Sequence, residues 1–280
     1  MKTSRLLLCV TFGFLSFLAA TRSPAQSTIT EWTFDNLTAG SNTAPAPSTG
    51  SGSAASMGMA AYLSAGATPP AADDSNIYNL QGTDLDNSGA GNLTWRIVGN
   101  NGWNSAAAIG TQGAQFNVST MGYAGITVSF DVDISKRGEA DLQLEYTTNG
   151  STWINAALTF SGTGGSILTN SSNANIVTGS YLNATFGNDD WYNQVTANLT
   201  GVTSANNDAN FGIRIVNAAT GSANVDQTGT ALNNTSGNWR LDDVQVQGTS
   251  QSAPEPSTWA MLFFGLVAFI GFRHRRARSG

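Results

Sequence analysis

Residues 125–134 read GITVSFDVDI, and no other stretch of this chain alternates so regularly. Ile126, Val128, Phe130, Val132 and Ile134 fall on one side, with Thr127, Ser129, Asp131 and Asp133 on the other. A period of two marks a strand with one buried face, because successive strand side chains point to opposite faces. The alternation predicts Asp131 and Asp133 together on an exposed face. Downstream, Leu142, Leu144 and Tyr146 alternate in the same way, and Asn149-Gly150 then supplies the pair that a tight hairpin turn favours. Trp153 falls on the returning strand. Upstream, residues 29–34 put Trp32 and Phe34 on one face, and strand-like runs follow at 93–98 and 114–118. Residues 194–199, 211–216 and 239–246 continue the series. Many short strands, Gly- and Asn-rich turns and no competing helical period predict an all-β body. The expected architecture is an antiparallel two-sheet β-sandwich of jelly-roll type.

Composition agrees and removes most enzyme chemistry. Of 280 residues, 40 % are hydrophobic and only 11 % charged, against roughly 25 % charged in ordinary soluble domains. That balance excludes both a charged disordered chain and a Glu/Lys/Leu-rich helical bundle. The sole Cys is Cys9 and the sole His is His274, both in terminal segments. A body without either residue excludes Ser-His-Asp and Cys-His nucleophilic catalysis. It also excludes zinc sites built on Cys or His and any disulfide framework. Carboxylate chemistry, calcium-type oxygen ligation or no chemistry remain. Residues 26–253 carry five basic side chains (Arg96, Lys136, Arg137, Arg214 and Arg240) against 17 acidic ones, a formal charge of −12. So acidic a body repels phosphate backbones, which excludes nucleic acid as a partner. Residues 38–72 are rich in Ala, Ser, Thr, Gly and Pro. They read as an irregular excursion within the single domain 26–253, with Met57, Met59, Tyr62 and Leu63 packing back onto the sheet.

The two ends read as addresses. Residues 1–25 have a basic start (Lys2, Arg5), an apolar run from Leu6 to Ala20 and a small-residue Ser23-Pro24-Ala25 cleavage site. This is the pattern of a secretory signal peptide. At the far end, Pro254-Glu255-Pro256 precedes an apolar run from Trp259 to Phe272 and then Arg273, Arg275, Arg276 and Arg278. The prolines forbid helix before the run and favour an extended segment. The 14-residue run is short of the ~20 residues of a spanning helix. Extension from Ser257 and snorkelling arginines make it a transient transmembrane anchor. The arginines hold the tail on the cytoplasmic side.

This order of Pro-Glu-Pro, short apolar helix and basic end over 254–280 resembles the PEP-CTERM sorting signal of Gram-negative bacteria. Pro254, Glu255 and Pro256 match its name-giving motif. The resemblance implies recognition by exosortase, a membrane protease-transpeptidase, and a brief stay in the inner membrane. Delivery to the cell surface or extracellular matrix would follow. The body resembles bacterial secreted jelly-roll domains that precede such tails. That likeness rests on GTQGAQFNVST (110–120), GITVSFDVDIS, LQLEYTTNGSTW (142–153), NFGIRIV (210–216) and GNWRLDDVQV (237–246). It implies a fold and carries over no catalytic residue.

Several residue groups could form a site. Residues 147–153 (TTNGSTW) are similar to the Asp-box turn of sialidase-like proteins, a structural hairpin there too. Two carboxylates suffice for glycoside hydrolysis, and the pairs are Asp73/Asp74, Asp131/Asp133, Asp189/Asp190 and Asp242/Asp243. Adjacent strand residues point to opposite faces, which places three of these pairs poorly. In WRLDDVQV (239–246) the apolar period breaks between Leu241 and Val244. A β-bulge at Asp242-Asp243 returns both to the core and turns a carboxylate toward a neighbouring strand end. Jelly-roll carbohydrate-binding modules often hold structural calcium between first and last strands. Glu31 and Asp242 would meet there, and no other cofactor is implied. Glycan stacking would use exposed aromatics, for which Trp103, Trp191 and Tyr192 are the candidates.

Three readings follow. The first is an exported, exosortase-processed surface or matrix protein without catalytic activity, a structural or adhesive sandwich in contact with extracellular polysaccharide. The second is a carbohydrate-binding jelly roll, expected to show a row of exposed aromatics. The third is a carboxylate-dependent glycan hydrolase or lyase, expected to show a groove with two facing carboxylates.

Overall fold

The computed structural model describes residues 25–35, 37–38, 40–41, 43–58, 60–65, 93–98, 103–162, 165–169, 179–185, 187, 190–234, 237–251 and 262–265. Its first strands are β1 (Gln26–Trp32), β2 (Gly40–Ser41), β3 (Ser53–Met57), β4 (Ala60–Ala65), β5 (Leu93–Val98) and β6 (Trp103–Asn104). The middle of the chain forms β7 (Gly113–Asn117), β8 (Tyr123–Ile134), β9 (Asp141–Thr147), β10 (Ile154–Asn155) and β11 (Leu158–Thr159). There follow β12 (Gly165–Thr169), β13 (Ser180–Ala184), β14 (Asp190–Asn198), β15 (Gly212–Asn217), β16 (Asn233–Asn234) and β17 (Asn238–Ser250).

These strands build two large antiparallel sheets. One has the order β11-β14-β8-β17-β5-β4-β2, with β1 also on β17; the other has the order β12-β13-β9-β15-β7-β3, with β10 on β9. The short pair β16-β6 stands apart. The strongly alternating stretch is β8, inside the larger sheet, and all five of its predicted inward residues are fully buried. The inner faces meet through aromatic rings. Phe116 of the smaller sheet packs edge-on against Trp32 at 4.9 Å and against Trp95 at 5.7 Å, both from the larger sheet. Burying Trp and Phe side chains removes large apolar areas from water, the dominant favourable term in folding. Trp32 donates its indole N–H to the Pro45 carbonyl (3.2 Å) and Trp239 to that of Glu139 (2.8 Å), so neither ring leaves that donor stranded.

Strand β17 organises the larger sheet. Along one edge it pairs with β8 throughout. Along the other it pairs with β5 over residues 238–241 and with β1 over 244–249. The change of partner falls at Asp242-Asp243, where the register against β8 slips by one residue and Asp243 takes φ +45°. The bulge and the pairing with the first strand are both as expected from the gap between Leu241 and Val244. Those two residues are fully buried.

Two expectations need correction. Asp131 and Asp133 do share the face opposite the core residues, but that face is not exposed: they are 2 % and 1 % accessible. Register puts Arg240 beside Asp133 and Arg96 beside Arg240, and Arg240 forms a buried ion pair with Asp133. Opposite charges placed side by side allow a layer of ionic groups to leave water together. Within the stretch read as irregular, residues 40–41, 53–57 and 60–65 are strands, with β3 on β7 and β4 on β5. The small Ala and Ser side chains there carry little apolar alternation, yet their backbones complete sheet edges.

Residues 1–24, which hold the signal-peptide segment, lie outside the described residues, as do 66–92 and 252–261. Residues 262–265 are helical, and among the described residues no helix is long and apolar enough to cross a membrane.

Candidate functional site

On the outer face of the larger sheet, a groove of about 800 Å³ runs across β1, β17, β8 and β14. Alternation builds it. With Val128 and Phe130 of β8 committed to the core, Thr127, Ser129 and Asp131 face the groove. With Val244 and Val246 of β17 inward, Gln245 and Gln247 face it too. From β14 come Gln194 and Thr196, and from β1 Gln26 and Glu31. Phe160, just beyond β11, supplies an aromatic wall and lies 5.7 Å from the Tyr192 ring.

Two bulges shape the floor. The first is Asp242-Asp243 of β17. The second lies in β14, whose register against β8 slips between Tyr192 and Val195 and whose Gln194 takes φ +55°. Each inserts one extra residue on its side of β8, close to Asp131, and each re-aims a side chain, Asp243 or Gln194, into the groove. The Gln194 backbone N–H donates to Asp131 Oδ1 at 2.6 Å, so Asp131 forms a hydrogen-bonded floor. Amides organise the walls. The side-chain amide of Gln247 donates to Gln245, and that of Gln245 donates to Glu31 Oε1 (2.6 Å) and Thr28 Oγ1 (3.0 Å). Gln26 donates to Thr127 Oγ1 at 2.8 Å.

The groove gathers some of the expected residues and not others. Glu31, Asp131 and Asp243 line it, so carboxylates far apart in sequence share one face. Glu31 stands opposite Gln245 rather than Asp242, whose Oδ1 accepts the Asp243 N–H at 3.0 Å. Among the described residues no group of three or more His, Cys, Asp and Glu side chains is placed to hold a metal ion. The aromatic expectation is overturned: Trp103, Trp191 and Tyr192 are 1 %, 6 % and 0 % accessible. Trp103 packs at a tilt against Trp239, with ring centroids 4.8 Å apart, and Tyr192 hydrogen-bonds Gln227 at 3.3 Å, so their large apolar surfaces serve packing. The 147–153 turn is structural. Asn149 Oδ1 accepts the Ser151 and Thr152 N–H groups at 2.9 and 2.7 Å, and the Arg214 guanidinium lies 4.6 Å over the Trp153 ring. Asp73, Asp74 and Asp189 lie outside the described residues, as do Pro254, Glu255 and Pro256.

Gln26, Gln194, Gln245, Gln247 and Phe160 were missed as groove residues. The outward alternation of Gln245 and Gln247 was visible in QVQ, but nothing local shows which strands flank them.

A second cluster of titratable groups is buried at the start of β9. Burial pushes the Glu139 carboxyl well above its usual range, and the neighbouring Asp141 charge adds to the rise. Burial likewise raises Asp141 to about 6, although Asn183 donates to it at 2.7 Å. These side chains lie outside the groove.

No curated protein and no solved structure matches the chain. Residues 252–276 match the PEP-CTERM protein-sorting motif, which implies export, transient membrane anchoring and processing by exosortase, so this all-β sandwich is carried by an exosortase-targeted chain.

Proposed function

We propose that the protein is a non-catalytic component of the cell surface or extracellular polysaccharide matrix, with a jelly-roll-type sandwich acting as a structural or adhesive module. The sorting motif at 252–276 carries this reading, since it ties the sandwich to export. A signal peptide over residues 1–25 initiates export, and exosortase removes the apolar tail. Absence of His and Cys from the body supports a non-catalytic role. Intact-mass spectrometry of the extracellular protein tests the processing. The expected chain begins at Gln26 and ends no later than about Pro256. Recovery of residues 259–280 in the mature extracellular protein would overturn it.

A second reading, a carbohydrate-binding module, is supported by the hydrogen-bonding groove, though not by a row of exposed aromatics. The shared carboxylates of that groove set its competitor, a glycan hydrolase or lyase. Release of new reducing ends or unsaturated ends from a bound glycan would replace binding with cleavage.

A further inference from the structure

We infer that the groove over β1, β17, β8 and β14 binds a strand of neutral polysaccharide and rejects acidic glycans. This rests on the carbohydrate-binding reading and adds a ligand class and the residues that select it.

Size comes first. The groove volume of about 800 Å³ falls in the range of ~300–1,000 Å³ seen for ligand sites. Four adjacent strands span about 14 Å from first to last, which suits several linked rings better than one. Lining chemistry then narrows the ligand. Gln, Thr and Ser side chains both donate and accept hydrogen bonds, as sugar hydroxyls do. Gln247, Gln194, Thr196 and Ser129 present such groups from three neighbouring strands. Phe160 offers an apolar surface against which the C–H face of a sugar ring can leave water.

Charge decides between glycan classes. Glu31, Asp131 and Asp243 line the groove, and no described Lys, Arg or His side chain does. A uronate or sulfated strand would place its anions beside these carboxylates without a countercharge, which is repulsive selection. An ammonium-bearing sugar would find attraction, but its ammonium, unlike the hydroxyl it replaces, is donor-only and leaves the lining donor opposite it unmatched. Glu31 already accepts a hydrogen bond from Gln245, which fixes it as an acceptor for sugar hydroxyls, and the Gln194 N–H holds buried Asp131 in the floor as a fixed negative charge. The bulges keep this arrangement in place before any ligand arrives, so little ordering accompanies binding.

The mature protein is screened against hexasaccharides of three kinds: neutral (cellohexaose, mannohexaose and others), uronate (alginate-derived) and amino-sugar (chitosan-derived). Calorimetry on the strongest binders then compares wild type with Gln247→Ala, Phe160→Ala and, as a control on the smaller sheet, Gln115→Ala. Neutral hexasaccharides should bind best, with an affinity insensitive to salt. Gln247→Ala and Phe160→Ala should each weaken binding about fivefold or more, with Gln115→Ala unchanged. Thermal melts show whether Phe160→Ala remains folded, and Gln247→Ala tests the groove independently. Tighter binding of the uronate or amino-sugar strand would overturn the ligand class while leaving carbohydrate binding intact. Neutral binding that both groove variants leave unchanged would overturn the groove. No binding by any hexasaccharide would overturn the inference and the carbohydrate-binding reading together.

Discussion

Asp141 and Glu139 show how one residue's surroundings set the response of the fold to pH. Asp141 has a folded-state pKa of about 6 against 3.8 in an exposed setting, because burial penalises its charged form. A raised pKa means that the native state holds the proton more tightly than the unfolded chain does. Its stabilising contribution is therefore complete below about pH 4 and is lost as pH rises through about 6. A shift of this size corresponds to about 3 kcal/mol. Glu139 acts in the same direction. Asp226 acts oppositely. Burial raises its carboxyl, but hydrogen bonds from Thr228, Thr230 and Arg137 outweigh that and leave its pKa below 3.8. Its contribution is present at neutral pH and fades only as pH falls through that lower value. Asp141→Asn should remove Asp141's share of the loss between pH 4.5 and pH 7.5, while buried Glu139 keeps its own. Guanidinium midpoints at the two pH values should lie closer together in the variant than in the wild type. An equal difference in both proteins would show that Asp141 is not the group responsible.

At the scale of elements, the two bulges beside β8 hold non-glycine residues in left-handed backbone. Asp tolerates this region better than most residues, so Asp243 at φ +45° carries little strain. Gln194 at φ +55° lacks that excuse, and the conformation costs roughly 1–2 kcal/mol for an ordinary L-residue. Glycine would relieve it. Gln194→Gly should raise stability by about 1 kcal/mol, offset in part by the freer unfolded chain. If the strained residue is kept for the groove, the same substitution should weaken glycan binding. Chemical denaturation and calorimetry on one preparation separate the two effects. A variant less stable than wild type would show that the Gln194 side chain contributes more than its backbone costs.

For the whole molecule, β17 is the strand through which β8, β5 and β1 are joined. Its last backbone hydrogen bond runs from Gln251 to the Gly122 carbonyl at 2.7 Å. Only Ser252 and Ala253 then separate it from Pro254. A chain ended after Gln251 should keep the full-length body's melting temperature, because the larger sheet is complete by then. One ended after Leu241 removes Val244 and Val246 from the core and the whole partner ladder of β1. Each such buried valine contributes about 1.5–3 kcal/mol, a large share of a total of roughly 5–15 kcal/mol. That shorter chain should show no cooperative unfolding by circular dichroism. A sharp transition in it would mean that the second part of β17 and its pairing with β1 are dispensable to the fold.

The sequence by itself determined what local physics can encode. Alternation in GITVSFDVDI placed Ile126 to Ile134 inward, since strand side chains point to opposite faces whatever the partner strand. The same period, broken between Leu241 and Val244, located the bulge at Asp242-Asp243. The ordered Pro-Glu-Pro, apolar and arginine segments identified the sorting signal, which functions as a linear sequence. Tertiary structure alone decided what lies over each face. Asp131 and Asp133 are outward by pattern yet buried, because Gln194 and Arg240, which bond them, come from strands far along the chain. Trp103, Trp191 and Tyr192 sit in loop-rich contexts yet are inside, because distant residues close over them. The strands within residues 40–65 escaped notice because Ala and Ser side chains leave almost no apolar signature on the pairing their backbones make. The groove depends on β1, β17, β8 and β14 becoming neighbours. That adjacency is set by backbone pairing between residues from 56 to 223 positions apart, which no local pattern records.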